Sequence, residues 1–317
     1  MILFRWQKLQ ETAIAFKERL CSFWDQQNWC KAPWVEATGL VLLALCLNLI
    51  GNNQTSLWDR DEPRYAQCAR EMRESGDFID PSFNGEPRYQ KPILSYWMIQ
   101  VGVALCGDTP FGNRLMSAMF GAATSLLVWH LGRSMLGPNA GRIAAFAMAT
   151  SPLVIIESKL ATTDACLGFF ITLGYMALWH LVQRPSPKWA AILWVSLALS
   201  ILTKGPVGPA FLLLSGAIWW LWCDRPRVEW GRTYPRWGIP LFLCLVLPWF
   251  LAIAWKSRGE FFQVAVGQQL MERALHPLES HGAFPGYYVA TVLLSFFPWS
   301  VFLPMGAGLL TDRKTHV

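Results

Sequence analysis

Residues 92–107, PILSYWMIQVGVALCG, decide how this chain is laid out. The segment is apolar, but it is only 16 residues long, and Ser95 and Gln100 interrupt it. A helix that crosses a bilayer needs about 20 mostly apolar residues. Whether the segment crosses or lies flat decides on which side each later loop falls: crossing would flip every one of them.

Working outward, longer apolar runs stand near 33–50, 111–132, 140–158, 165–183, 189–203, 205–222, 237–255 and 286–310. With 92–107 lying flat, the N-terminus, 133–142, 184–188, 223–236 and the C-terminal tail share one side. That side collects 15 of the 27 Lys and Arg and seven of the 21 acids. The remaining 12 cations and 14 acids fall opposite, so the two sides carry +8 and −2. Basic loops stay in the cytoplasm. If 92–107 crossed, the loop 223–236, with Arg225, Arg227, Arg232 and Arg236, would be outside. The pattern therefore predicts an all-α integral membrane bundle of eight spans with both termini cytoplasmic. A first outer loop, about 52–110, carries the interfacial helix. Residues 1–32 read as a cytoplasmic extension, 33–310 as the membrane domain and 311–317 as a cytoplasmic tail.

Composition agrees. Of the 317 residues, 53% are apolar and 15% charged, against about 25% charged in soluble domains. This argues against nucleic-acid binding, disorder and an ordinary soluble enzyme. The 18 Trp and 20 Pro fit membrane helices and their interfaces. Eight Cys show no CxxC and no Cys/His ligand spacing, and Cys46, Cys166 and Cys244 sit inside apolar runs. They read as reduced thiols, not a disulfide framework. The first apolar run has no small-residue cleavage site after it and reads as a retained helix.

Chemistry-bearing residues gather on the outer side. Asp61 and Glu62 precede Pro63 and an amphipathic stretch, Arg64 to Ser75. Either acid suits a helix N-cap; an ionised carboxylate at the membrane surface is also a candidate base. Lys91, ahead of Pro92, is placed to bind a phosphate at headgroup depth, or simply to snorkel. Asp164 opens one apolar run and Lys204 closes another. Charges at membrane edges are functional candidates, with N-capping and interface anchoring as the plainer roles. Arg273, in the last outer loop, can grip a phosphate bidentately or pair with Glu272. His276 and His281 share that loop and make a weak metal case. Together these groups suit transfer from a lipid phosphate, with cations taking the leaving charge.

The runs Arg60-Asp61-Glu62-Pro63-Arg64-Tyr65-Ala66, Gly76-Asp77-Phe78, Tyr89-Gln90-Lys91-Pro92-Ile93 and Tyr96-Trp97 resemble the bacterial aminoarabinose transferases of lipid A. These belong with the protein O-mannosyltransferase-like glycosyltransferases of the GT-C fold. The likeness continues through Phe111-Gly112-Asn113-Arg114-Leu115, Thr163-Asp164, Thr203-Lys204-Gly205, Leu247-Pro248-Trp249 and Pro298-Trp299, covering roughly 55–310. It implies an inverting membrane enzyme that takes a sugar from a polyprenyl-phosphate carrier, without a nucleotide sugar or other cofactor. The acceptor is a glycolipid such as lipid A or another envelope molecule. The setting is the outer face of the bacterial inner membrane. The resemblance makes Asp61 the catalytic carboxylate, with Glu62 completing the pair, and gives Lys91 and Arg273 the carrier phosphate. Asp164, Lys204, Arg64 and Tyr89 become further candidates. Gln90 stands where relatives often have an acid, and Gln268 near where some have a His, so no metal is expected. Relatives usually continue further, so the chain reads as an N-terminal catalytic half.

Two other readings compete. A protein O-mannosyltransferase-like enzyme would need a base for a Ser or Thr hydroxyl. A carrier or flippase of lipid-linked sugars would need the cations but not Asp61, and internal repeats would be expected.

Overall fold

The computed structural model describes residues 33–58, 61–222, 230–265, 286–304 and 306. In chain order it contains α1 (Pro33–Leu49), α2 (Glu62–Ser75), a hairpin of β1 (Ser82–Phe83) and β2 (Glu86–Pro87), and α3 (Leu94–Cys106). Then come α4 (Pro110–Leu136), α5 (Pro138–Thr150), α6 (Pro152–Ser158), α7 (Asp164–Gln183), α8 (Pro187–Lys204), α9 (Val207–Trp222) and α10 (Pro235–Lys256). A three-residue turn, Glu260–Phe262, precedes the described end, where α11 (Tyr287–Ser295) leads into a 3₁₀ turn, Trp299–Phe302.

Proline sets the starts of these helices. It occupies the first turn of α2, α4, α5, α6, α8 and α10, where its missing N–H has no helical partner to lose. At α4, Thr109 adds a side-chain cap, accepting from the Gly112 amide at 3.1 Å.

α4, α7 and α10 are each long and apolar enough to cross a membrane. The expected single span at 140–158 is not one helix. It is α5 and α6, bent by 59° at Ser151. Pro152 cannot donate to the ladder and its ring crowds the preceding turn. The last expected span, 286–310, is also broken: α11 has nine residues, and Pro298 separates it from the 3₁₀ turn. α1 and α9 are shorter apolar helices of 17 and 16 residues. α3 has 13 residues, which at 1.5 Å per residue rises about 20 Å, short of a bilayer core of about 30 Å.

α3 lies against α4 because glycine lets their backbones meet. A Cβ on Gly102 would stand 2.3 Å from the Gly112 carbonyl oxygen. Its other face presents Tyr96, Ile99 and Val103 to a core shared with Tyr65, Cys68 and Met72 of α2. Phe170, Leu202, Trp249 and Ile253 join from α7, α8 and α10. The helices of the 52–110 segment are thus built into the bundle and not laid upon it. Leu213, Leu251, Trp255 and Leu294 are exposed on the periphery, as expected for side chains that face lipid.

Candidate functional site

The site grows from the start of α2. Asp61 holds the N-cap position, yet its side chain makes no capping hydrogen bond. The side chain is 59% exposed, and Arg64 one turn on approaches it at 3.6 Å. Capping therefore does not account for this acid.

Glu62, its neighbour, has the opposite fate. It has no exposed surface and accepts four hydrogen bonds. Arg114 of α4 gives two, Nε to Oε1 at 2.6 Å and Nη2 to Oε2 at 2.7 Å. The amides of Trp58 and Ala161 give the others, at 2.6 and 3.0 Å. Arg114 directs its remaining donors to the carbonyls of Asn52, Thr55 and Ser56 and the Thr55 hydroxyl. One buried pair thus ties the 52–58 loop, α2, α4 and the α6–α7 link together. A carboxylate so fully used has no lone pair left for a substrate. Glu62, expected as the second acid of the pair, is thus saturated within the scaffold on which Asp61 stands. Sequence reasoning missed the partner, although an Arg inside the apolar run 111–132 was the available signal.

Asp164 opens α7 and pairs with Lys204, the last residue of α8; their side chains are 43% and 27% exposed. Capping does not describe Asp164, because Thr163 holds the N-cap position. The two expected candidates come together across 40 residues of sequence. Tyr65 joins this pair to Asp61. Its phenol is buried, which pushes it above the usual tyrosine range; Arg88 opposes that shift, while Asp61 and Asp164 add to it. Its hydroxyl also meets Thr163. Three charges from three segments therefore act on one side chain, which stands in the 60–66 run but is not among the expected site candidates.

Tyr89 is 4% exposed and its ring meets Phe261 edge-on at 5.8 Å. Burial and the neighbouring Asp80 carboxyl push its hydroxyl up to about 12. Asp80 is itself raised, first by burial, with Glu260 adding and Tyr89 opposing. Tyr89 therefore faces Asp80 and the Phe261 turn. Lys91, half-buried, stands in the turn just before α3. Arg273, with Gln268, His276 and His281, lies outside the described residues.

The hairpin was not foreseen, though Asn84-Gly85 is a strong two-residue turn signal. Both residues are left-handed, φ 55° and 79°. Glu71 of α2 grips the turn, accepting from the amides of Asn84 and Gly85, the Ser82 hydroxyl and the Gln67 amide. Burial raises the Glu71 carboxyl, but these four donors outweigh it and hold the group below its usual range. The hairpin then delivers Arg88 to the face of Tyr65.

The fold has known counterparts. ArnT from Cupriavidus metallidurans, solved with undecaprenyl phosphate, superimposes with a TM-score of 0.76 at 22% identity, over 89% of this chain and 52% of that one. An Archaeoglobus fulgidus oligosaccharyltransferase follows at TM-score 0.50 and 14% identity, covering 91% and 38%. These likenesses establish the expected GT-C membrane fold. In sequence, an undecaprenyl phosphate-alpha-4-amino-4-deoxy-L-arabinose arabinosyl transferase of Pseudomonas aeruginosa is 29% identical over 275 residues, covering 85% of this chain and 50% of that protein. An uncharacterized Aquifex aeolicus protein is 28% identical, covering 82% and 52%. The chain spans about half the length of the curated relatives it matches. Its apolar helices and these relatives identify a multi-pass protein of the bacterial inner membrane. The family model of the dolichyl-phosphate-mannose-protein mannosyltransferases matches residues 35–259, from the first apolar helix through the carboxylate-bearing loop to the end of α10, and the chain belongs to that family.

Proposed function

We propose that this chain carries the catalytic half of an inverting glycosyltransferase. It moves a sugar from a polyprenyl-phosphate carrier to an envelope glycolipid of the lipid A class. In this reading the site faces the outer side of the membrane and both termini of the chain are cytoplasmic. The relatives named for undecaprenyl-phosphate aminoarabinose support the donor class, and the charge split of the loops supports the orientation.

The observation that carries the reading is the contrast at 61 and 62. Glu62 is fully buried and saturated, so the loop is rigid, while Asp61 is exposed and released from capping. A fixed scaffold with one uncommitted acid is what positioned acid–base chemistry requires. The acceptor oxygen attacks the anomeric carbon opposite the phosphate. The carbon–oxygen bond to phosphate breaks, and its electron pair stays on the departing polyprenyl phosphate. Lys91 and Arg273 take up that charge. Asp61 receives the proton of an acceptor hydroxyl, or orients an acceptor phosphate that has none to give. Arg64 stands one turn on, 3.6 Å from the Asp61 carboxylate, and Asp164 with Lys204 forms the facing wall.

The test is transfer of labelled sugar from polyprenyl-phosphate donors in membranes containing the chain. Label should enter extracted lipid, and Asp61→Asn should lower transfer about 10² to 10⁴-fold without reducing membrane insertion. Near-normal transfer by the variant would remove Asp61 from the chemistry. Label in protein would move the acceptor to protein hydroxyls. Donor binding without transfer from any donor would favour a lipid-sugar carrier.

A further inference from the structure

The end of the bundle opposite Asp61 holds a corner where cations gather and acids do not. Arg184 follows α7, Lys188 lies in the first turn of α8 and Arg236 in the first turn of α10, and all three are exposed. None of them has a carboxylate within ion-pair distance among the described residues. The stretches 184–189 and 230–238 contain no Asp or Glu. Glu36, the described acid of this end, is shared by Arg133 and Arg142, and Asp224 and Glu229 lie outside the described residues.

Fixed contacts bring the three helix ends together. Arg232, in the 3₁₀ turn Trp230–Thr233, donates from Nη1 to the Val182 carbonyl of α7 at 2.8 Å. Trp194 of α8 donates from Nε1 to the Thr233 carbonyl at 2.8 Å. Gly238 of α10 makes room for that indole, since a Cβ there would stand 1.8 Å from its Nε1. Tyr234 and Trp189 pack on one cluster with Leu181 and Leu193, and the Lys188 Nζ lies 5.9 Å from the Trp189 ring centre. Ser186 and Tyr234 make no side-chain caps, so the first amides of α8 and α10 add partial positive charge. Just past Arg236, Trp237 is 51% exposed. Ile239, Leu243, Leu247 and Leu251 are exposed at every fourth position along one face of α10. That stripe runs about 18 Å, longer than one leaflet of a bilayer core about 30 Å thick.

We propose that this corner is a binding site for an anionic phospholipid of the surrounding bilayer. Its phosphate sits at Arg236, with Arg184 and Lys188 adding charge. Trp237 lies at headgroup level, and an acyl chain follows the exposed stripe of α10. Charge complementarity selects the headgroup: a zwitterionic lipid brings its own ammonium, which the cations repel. Continuity of Arg236 with the apolar stripe selects a lipid over a free phosphate. The membrane setting supplies the ligand, and basic corners between membrane helices are where such headgroups are held. The inference is independent of the transferase reading and of which way the chain faces.

The experiment purifies the full chain in detergent with equal amounts of phosphatidylglycerol and phosphatidylethanolamine of matched acyl chains. Native mass spectrometry counts the lipid retained. The parent protein should retain phosphatidylglycerol on the order of tenfold over phosphatidylethanolamine. Arg184→Gln, Lys188→Gln and Arg236→Gln combined should bring the preference below about twofold. Arg236→Lys should keep it, and so should Arg70→Gln with Arg73→Gln at the opposite end. Equal retention of the two lipids by the parent overturns the inference, whether or not the triple variant folds. An equal loss from the Arg70 and Arg73 changes also overturns it, by reducing the effect to overall charge. Undecaprenyl phosphate that displaces phosphatidylglycerol mole for mole from the parent would assign the corner to a carrier lipid and overturn it too.

Discussion

α4 is a ruler between two charged regions. Arg114 and Arg133 are 19 residues apart on it, about 28 Å along the axis. At the Arg114 end, one acid is consumed by the scaffold and two others, Asp61 and Asp164, remain exposed beside single cations. At the Arg133 end, the described acid is Glu36. It is shared by Arg142 and, at 3.7 Å, Arg133, and its side chain is 10% exposed. Beside it, His130 and His180 meet at 3.1 Å between ring nitrogens, and His180 stacks on Trp189 with centroids 4.1 Å apart. One end holds acids in reserve. The other surrounds its acid with cations. The same ion-pair chemistry thus uses up the acid at the Arg133 end, and at the Arg114 end builds an anchor with exposed acids beside it.

Breaking the anchor should give the largest effect on stability. Arg114→Met leaves Glu62 charged and buried, which costs about 3 to 5 kcal/mol. Thermal unfolding in detergent should show it, with transfer lost alongside. A change under about 1 kcal/mol would mean that the Glu62–Arg114 pair is not the scaffold. At the opposite end Glu36→Gln should cost less, about 1 to 2 kcal/mol, because Arg133 and Arg142 are partly solvated. It should leave transfer intact. Equal loss of activity from both variants would erase the contrast between the two ends.

Glu71→Gln sharpens the description of the reactive end. Removing the carboxylate that grips the hairpin should cost about 1 kcal/mol. The Glu71 carboxyl is lower in the fold than its ordinary value of 4.5. Its contribution is therefore complete above that value and is lost as pH falls through the lower, folded one. The gap between parent and variant should be constant near neutrality and close on acidification. A gap that widens in acid would reverse the assignment.

The smallest effect is a labelling pattern. Burial, with Glu71 adding and Arg88 opposing, pushes the Cys68 thiol up to about 12, so it stays protonated near neutrality. Cys106, at the end of α3, is exposed. In single-cysteine variants an impermeant maleimide added to intact cells should label Cys106 and not Cys68. Labelling of Cys106 only after the cells are opened would turn the proposed orientation over.

Much of this was legible in the chain. The shortness of 92–107 and the excess of cations on alternate loops led to the expectation of a helical bundle in which that segment lies flat. α3 is too short to span, and it is locked to α4 by paired glycines. Asp164 and Lys204 both stand out as edge charges, and they meet. Less legible were the bend at Ser151 and the break before Trp299. There, apolarity continues through a proline that ends the helix. Hydropathy measures transfer to lipid and is blind to a missing N–H.

By itself the sequence determined the class of the protein, its apolar helices and the charges that stand at their ends. Those properties come from desolvation cost, which each residue carries wherever it is placed. Only the tertiary structure decided which of two adjacent acids is the buried anchor and which is exposed, because burial and partners come from distant segments. Arg114 lies 52 positions from Glu62 and Ala161 lies 99. It also decided that Arg88 is buried with no carboxylate within ion-pair distance among the described residues. A charge has a counter-ion only when chain geometry brings one within a few ångströms, and no local pattern encodes that distance.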